Sequence, residues 1–80
     1  MITPQEVEKL ANKTVEDYVN ACRCNNEQDV ANVLMKLASM CGLGMYAVVG
    51  QEEAIERMQG TTCYIASKRH SPTWTRLTVQ

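Results

Sequence analysis

Val7, Leu10, Ala11, Val15, Tyr18, Val19 and Cys22 recur at steps of three and four, the spacing of one face of an α-helix. Glu8, Lys9, Asn12, Lys13, Glu16, Asp17 and Asn20 fill the opposite face. A start signal precedes the run. Thr3 is an N-cap, Pro4 fits the first helical position where no N–H is needed, and Glu6 stands where a capping box places its acceptor. Ile2 and Val7 sit at the positions of a hydrophobic staple. Lys9 follows Glu6 by three, and Lys13 precedes Glu16 and Asp17 by three and four. Such pairs add a few tenths of a kcal/mol each (about 0.2–0.5), so they support the helix without deciding it. The pattern predicts a helix over residues 4–23.

Asn25-Asn26 supplies a turn and a cap, and Glu27 and Asp29 place acids in the next first turn, where the helix dipole favours them. A second helix is predicted over residues 27–49, with Val30, Val33, Leu34, Leu37, Ala38, Cys41, Met45 and Val48 on one stripe. Met35, Met40, Leu43 and Tyr46 fall off that stripe. So broad an apolar surface needs partners on more than one side: the neighbouring helices, and a second copy of the chain. Gly42 and Gly44 admit two readings. They end the helix, leaving Tyr46–Val49 as a short strand, or they sit inside it and allow close helix packing. The unbroken register of Leu37, Cys41, Gly44 and Val48 favours continuation. Val30–Val49 also has the length of a membrane span. Lys36, Asn32 and Ser39 within it, and no basic cluster at either end, favour a mostly buried bundle helix instead.

Gly50 followed by Gln51-Glu52-Glu53 reads as a third start, and Ala54, Ile55, Met58, Thr62, Ile65 and Ala66 keep helical spacing over residues 51–67. Within it Gly60-Thr61-Thr62-Cys63-Tyr64 is weak for helix and good for strand. Ser71-Pro72 breaks any helix, and Thr73–Val79 alternates as an extended tail or edge strand would. The expected fold is all-α, a compact three-helix domain with an extended C-terminal tail over 68–80. Its alternative is α+β, with Tyr46–Val49, Thr61–Ala66 and Thr73–Val79 as strands.

Eighty residues and 9.0 kDa make one domain over 1–80, and 45% apolar residues exclude a wholly disordered chain. Ordering costs roughly 120 kcal/mol at about 1.5 kcal/mol per residue, so a chain this short needs an efficient core or an oligomer interface. No signal peptide opens the sequence, so the expected place is the cytoplasm, with Cys22, Cys24, Cys41 and Cys63 reduced. Paired C-x2–4-C zinc spacing is missing. Cys22, Cys41 and Cys63 read as small core hydrophobes, Cys24 as exposed, and no metal or cofactor is expected. His70, the one histidine, has no acid near it in sequence, since residues 57–80 contain no Asp or Glu. No catalytic residues are assigned, and the chain does not read as an enzyme.

Charge is unevenly placed. Residues 1–56 hold all nine acids and four bases, a local −5; residues 57–80 hold Arg57, Lys68, Arg69 and Arg76, a local +4. A net charge of −1 excludes bulk attraction to nucleic acid or membrane. Lys68, Arg69, His70, Trp74 and Arg76 are therefore the candidate binding residues, able to meet a protein partner, stack a base or hold a phosphate. Against this stands a tail that docks on the acids of the first helix.

Tyr18-Val19-Asn20-Ala21-Cys22, Asp29-Val30-Ala31-Asn32, Leu34-Met35-Lys36-Leu37 and Gly60-Thr61-Thr62-x-Tyr64-Ile65-Ala66 together resemble small accessory proteins of tailed phages and prophages. The resemblance spans most of the chain and carries over no functional residue. It implies expression in the host cytoplasm during infection and action by binding. The expected function is non-catalytic inhibition of a host enzyme or defence complex. Alternatives are an oligomeric sponge for a signalling nucleotide and a small nucleic-acid-binding regulator. A host protein is the expected partner and a homo-oligomer a further one, with no membrane.

Overall fold

Thr3 and Glu6 cap each other as their spacing requires. The Glu6 N–H donates to Thr3 Oγ1 at 3.2 Å, and Glu6 Oε1 accepts from both the Thr3 N–H and its hydroxyl. The computed structural model describes residues 1–72. From that cap α1 runs Pro4–Ala21, followed by α2 over Glu27–Val49 and α3 over Gln51–Ser67. Helix accounts for 81% of the described residues, and there is no strand among them. The fold is all-α.

Two elements resolve against the strand alternative for local reasons. Residues 44–49 continue α2, so Gly42 and Gly44 lie inside a helix. Thr61 and Thr62 stay helical by turning their hydroxyls onto the carbonyls of Arg57 and Met58, at 3.4 and 3.2 Å. That bond is open to Thr within a helix, so its hydroxyl is satisfied without leaving the helical backbone. The extended segment expected over Thr73–Val79, with Trp74 and Arg76, lies outside the described residues.

α1 stops two residues short of the expected end. Arg23 takes a left-handed conformation, φ +53°, and its N–H donates to the carbonyl of Asn20. Left-handed termination is usually signalled by Gly or Asn, so an Arg there leaves no mark in the sequence. Asn26 then caps α2 by accepting the Asp29 N–H at 2.8 Å, while Asp29 accepts the Asn25 N–H at 3.0 Å.

The chain divides into two compact units, Met1–Leu34 and a second that begins at Met35, with α2 contributing to both. In the first, the Tyr18 hydroxyl donates to the Val33 carbonyl at 2.8 Å, tying α1 to the first turns of α2, and Val19 and Cys24 are buried. In the second, Ala54 is buried. α2 has no buried residue, which corrects the expectation of a mostly buried bundle helix. Its 23 residues span about 35 Å.

Candidate interaction surface

In the second unit α2 and α3 are joined by Gly50 alone, at φ +93°. Its N–H donates to the Tyr46 carbonyl at 3.0 Å and its carbonyl accepts from Ala54 at 3.1 Å, so one residue ends one helix and starts the next. A Cβ here would be forced into a backbone region that glycine alone occupies readily. Gly42 and Met58 lie about two turns to either side of it. A Cβ on Gly42 would stand 3.7 Å from Met58 side-chain atoms, so the two helices run antiparallel in contact there.

Beside that contact the hairpin leaves a groove of about 520 Å³, walled by Leu43 and Tyr46 of α2 and by Ile55 and Met58 of α3. None of its lining residues is charged. Ser39 and Thr62 also line it, and each hydroxyl already donates to a carbonyl of its own helix, at 3.0 and 3.2 Å. Covering the groove with apolar atoms therefore strands neither hydroxyl. Leu43 is 60% exposed, and Tyr46 and Ile55 are each 50% exposed. The groove is an apolar surface with protruding apolar rims.

A smaller hollow of about 310 Å³ is bounded by Gly44, Met45, Val48, Val49 and Arg57. Val48 is 83% exposed and nothing stands within 4 Å of a Cβ on Gly44. Arg57 reaches Glu53 at 3.7 Å, an exposed pair worth about 0.3–0.5 kcal/mol at most. The polar hollow of α1, lined by Lys9, Asn12, Lys13, Glu16 and Asp17, contrasts with both. It carries the exposed Lys13–Asp17 pair at 2.8 Å, which the spacing of the sequence foretells.

Of the basic segment, Lys68, Arg69 and His70 are among the described residues. Lys68 caps α3, donating its N–H to the Ile65 carbonyl, and its ammonium sits 4.6 Å from the centre of the Tyr64 ring. Arg69 and His70 follow as exposed residues, while Trp74 and Arg76 lie outside the described ones. Of the five candidate binding residues, the described structure gives a specific partner to Lys68, and that partner is Tyr64. Sequence reasoning missed the groove. Leu43 and Tyr46 were visible as surplus apolar positions and Ile55 as part of the third helix's regular spacing, but which flank stays open depends on how α3 lies across α2.

The cysteines reverse their expected places. Cys22, Cys41 and Cys63 are exposed. Cys24 is buried, and it directly follows the left-handed turn at Arg23, which redirects the chain. Burial pushes the Cys24 thiol up, helped by the negative charge of Cys22 and Asp29 and opposed by a backbone hydrogen bond. Burial also raises the Tyr18 phenol, with smaller contributions from Cys22 and Cys24. Among the described residues no group of three or more His, Cys, Asp or Glu is placed to hold a metal ion. No protein-family model, curated protein or solved structure matches the chain.

Proposed function

We propose that this chain is a non-catalytic interaction protein of the phage-accessory kind, which inhibits a host enzyme or defence complex by covering part of its surface. The observation that carries the reading is the apolar surface left open: thirteen large apolar side chains are exposed among the described residues. Scattered exposed apolar residues are ordinary, but contiguous ones mark interaction sites. Nine of the thirteen lie on α2 and α3, where Leu43, Tyr46 and Ile55 flank one groove and Val48 and Val49 flank another hollow. The uncharged groove favours a protein over a nucleotide, since a phosphate needs cations or clustered N–H donors that its lining lacks.

The Val48 flank is where a host protein would bind, because Val48, Val49 and Met45 surround a single cation there. Capture from bacterial lysate tests it, using immobilised chain and Val48→Lys as the control. One host protein should be retained by the wild type and lost with Val48→Lys. Retention of no protein, or of the same protein by both forms, refutes the reading.

A further inference from the structure

We propose that the groove between α2 and α3 is the seat of a second copy of this chain, packed about a two-fold axis so that Leu43 and Tyr46 of each copy enter the groove of the other. The inference rests on reading the hairpin as a protein-binding surface, and it names the occupant of that groove.

Four observations favour a second copy. First, knob and hole occur on the same face. A two-fold contact requires a patch complementary to itself, and a groove bordered by protruding Leu43, Tyr46 and Ile55 has that property. Second, the groove suits a largely dry contact, with no charged lining and the Ser39 and Thr62 hydroxyls satisfied within their own helices. Third, α3 is polarised. It opens with Glu52 and Glu53 and is followed by Lys68 and Arg69, about 25 Å away along 17 residues. A two-fold axis near the middle of α3 sets it antiparallel to its copy and brings each acidic end to the partner's basic end.

Fourth, the exposed apolar area is of the order an interface of this kind uses. The exposed large apolar side chains of the second unit, from Met35 to Ile65, present on the order of 1,000 Å², against about 800 Å² per partner in a standard interface. The three on the groove flank, Leu43, Tyr46 and Ile55, expose on the order of 330 Å² of this and form the apolar centre of such a footprint. A bilayer would be the other apolar cover, since α2 is long and apolar enough to cross one. The groove's two amides, Gln51 and Gln59, would then face hydrocarbon with nothing to pair them, whereas a protein partner can offer them donors and acceptors.

Sedimentation equilibrium of the full chain over a wide concentration range, with helix content followed by circular dichroism, tests the proposal. The wild type should pass reversibly from 9.0 kDa to twice that mass. Leu43→Gln with Tyr46→Lys should keep the helix content and stay at 9.0 kDa. A charge exchange then identifies the geometry independently. One variant carries Glu52→Lys with Glu53→Lys, the other Lys68→Glu with Arg69→Glu. Each alone should self-associate at least about tenfold more weakly than wild type, and an equimolar mixture should recover the dimer, because only mixed pairs oppose unlike charges. A wild type that stays monomeric at all concentrations overturns the proposal, as does a dimer that survives the Leu43 and Tyr46 changes. So do variants that weaken separately and fail to recover on mixing. Co-sedimentation of the wild type with neutral phosphatidylcholine vesicles would also overturn it, by assigning the surface to a membrane. A monomeric chain that still captures a host protein in a Val48-dependent way would refute the dimer and leave the proposed function standing.

Discussion

Gly44→Ala should raise the stability of this protein, which is an unusual expectation for a glycine so deep in a helix. Gly44 lies inside α2, which runs Glu27–Val49, with no positive φ. A helix interior charges about 1 kcal/mol for Gly over Ala, because the unfolded glycine has more backbone freedom to lose. Nothing stands within 4 Å of the added Cβ, so no steric cost subtracts from that gain. One kcal/mol corresponds to about 4–8 °C in a chain of this length. Thermal unfolding followed at 222 nm, at matched protein concentration because self-association also shifts Tm, measures it. Gly60 is equally open, so Gly60→Ala should add independently. Gly50→Ala should do the opposite, losing about 1–3 kcal/mol, because φ +93° with ψ 166° is a region that only glycine enters cheaply. A fall in Tm on Gly44→Ala would refute the reasoning. It would mean that another surface already approaches α2 at Gly44 within the reach of a methyl group, and that the Val48 flank is not free.

Arg23→Gly should stabilise the first unit by about 1 kcal/mol in chemical denaturation, by relieving a left-handed arginine; an unchanged midpoint would contradict that backbone assignment. Thr3→Ala should cost about 1 kcal/mol by removing the cap of α1, and the loss should be much smaller for Thr3→Ser. Thiol titration with an aromatic disulfide should show three fast cysteines and one slow, with the slow phase missing in Cys24→Ala. The raised values of Cys24 and Tyr18 also fix a pH response. Folding holds protons that the unfolded chain releases from its ordinary values of 9.0 and 10.0, so their contribution is intact below pH 9 and is lost as pH rises through the folded values. Tm should therefore fall above pH 9, less steeply in Cys24→Ala, and a flat profile would refute the burial of these groups.

The sequence by itself determined the helices. Residues 27–49 and 51–67 are readable end to end, because apolar spacing, acids in the first turns and the break at Gly50 are local effects that act before any tertiary contact. The capping box at Thr3 and Glu6 belongs to the same class. Where local signals conflict, as at Gly60–Tyr64, the hydroxyls of Thr61 and Thr62 are accommodated on helical carbonyls, and β-propensity, which depends on a sheet to pack against, finds none among the described residues. The left-handed turn at Arg23 was not readable, since arginine is no marker of that conformation. From that one turn follows the inward position of Cys24.

Only the tertiary structure decided which apolar positions are covered. The heptad pattern of α2 reveals too many apolar residues for its neighbours, but it does not say which remain bare. Periodicity records that a side chain is apolar, while burial depends on what lies opposite it, and that is fixed by the antiparallel return at Gly50 and the seat of Met58 against Gly42. The groove beside Leu43, Tyr46 and Ile55 exists because α3 lies along one flank of α2 and leaves the next one open, an outcome of packing between segments that no spacing within a single helix encodes.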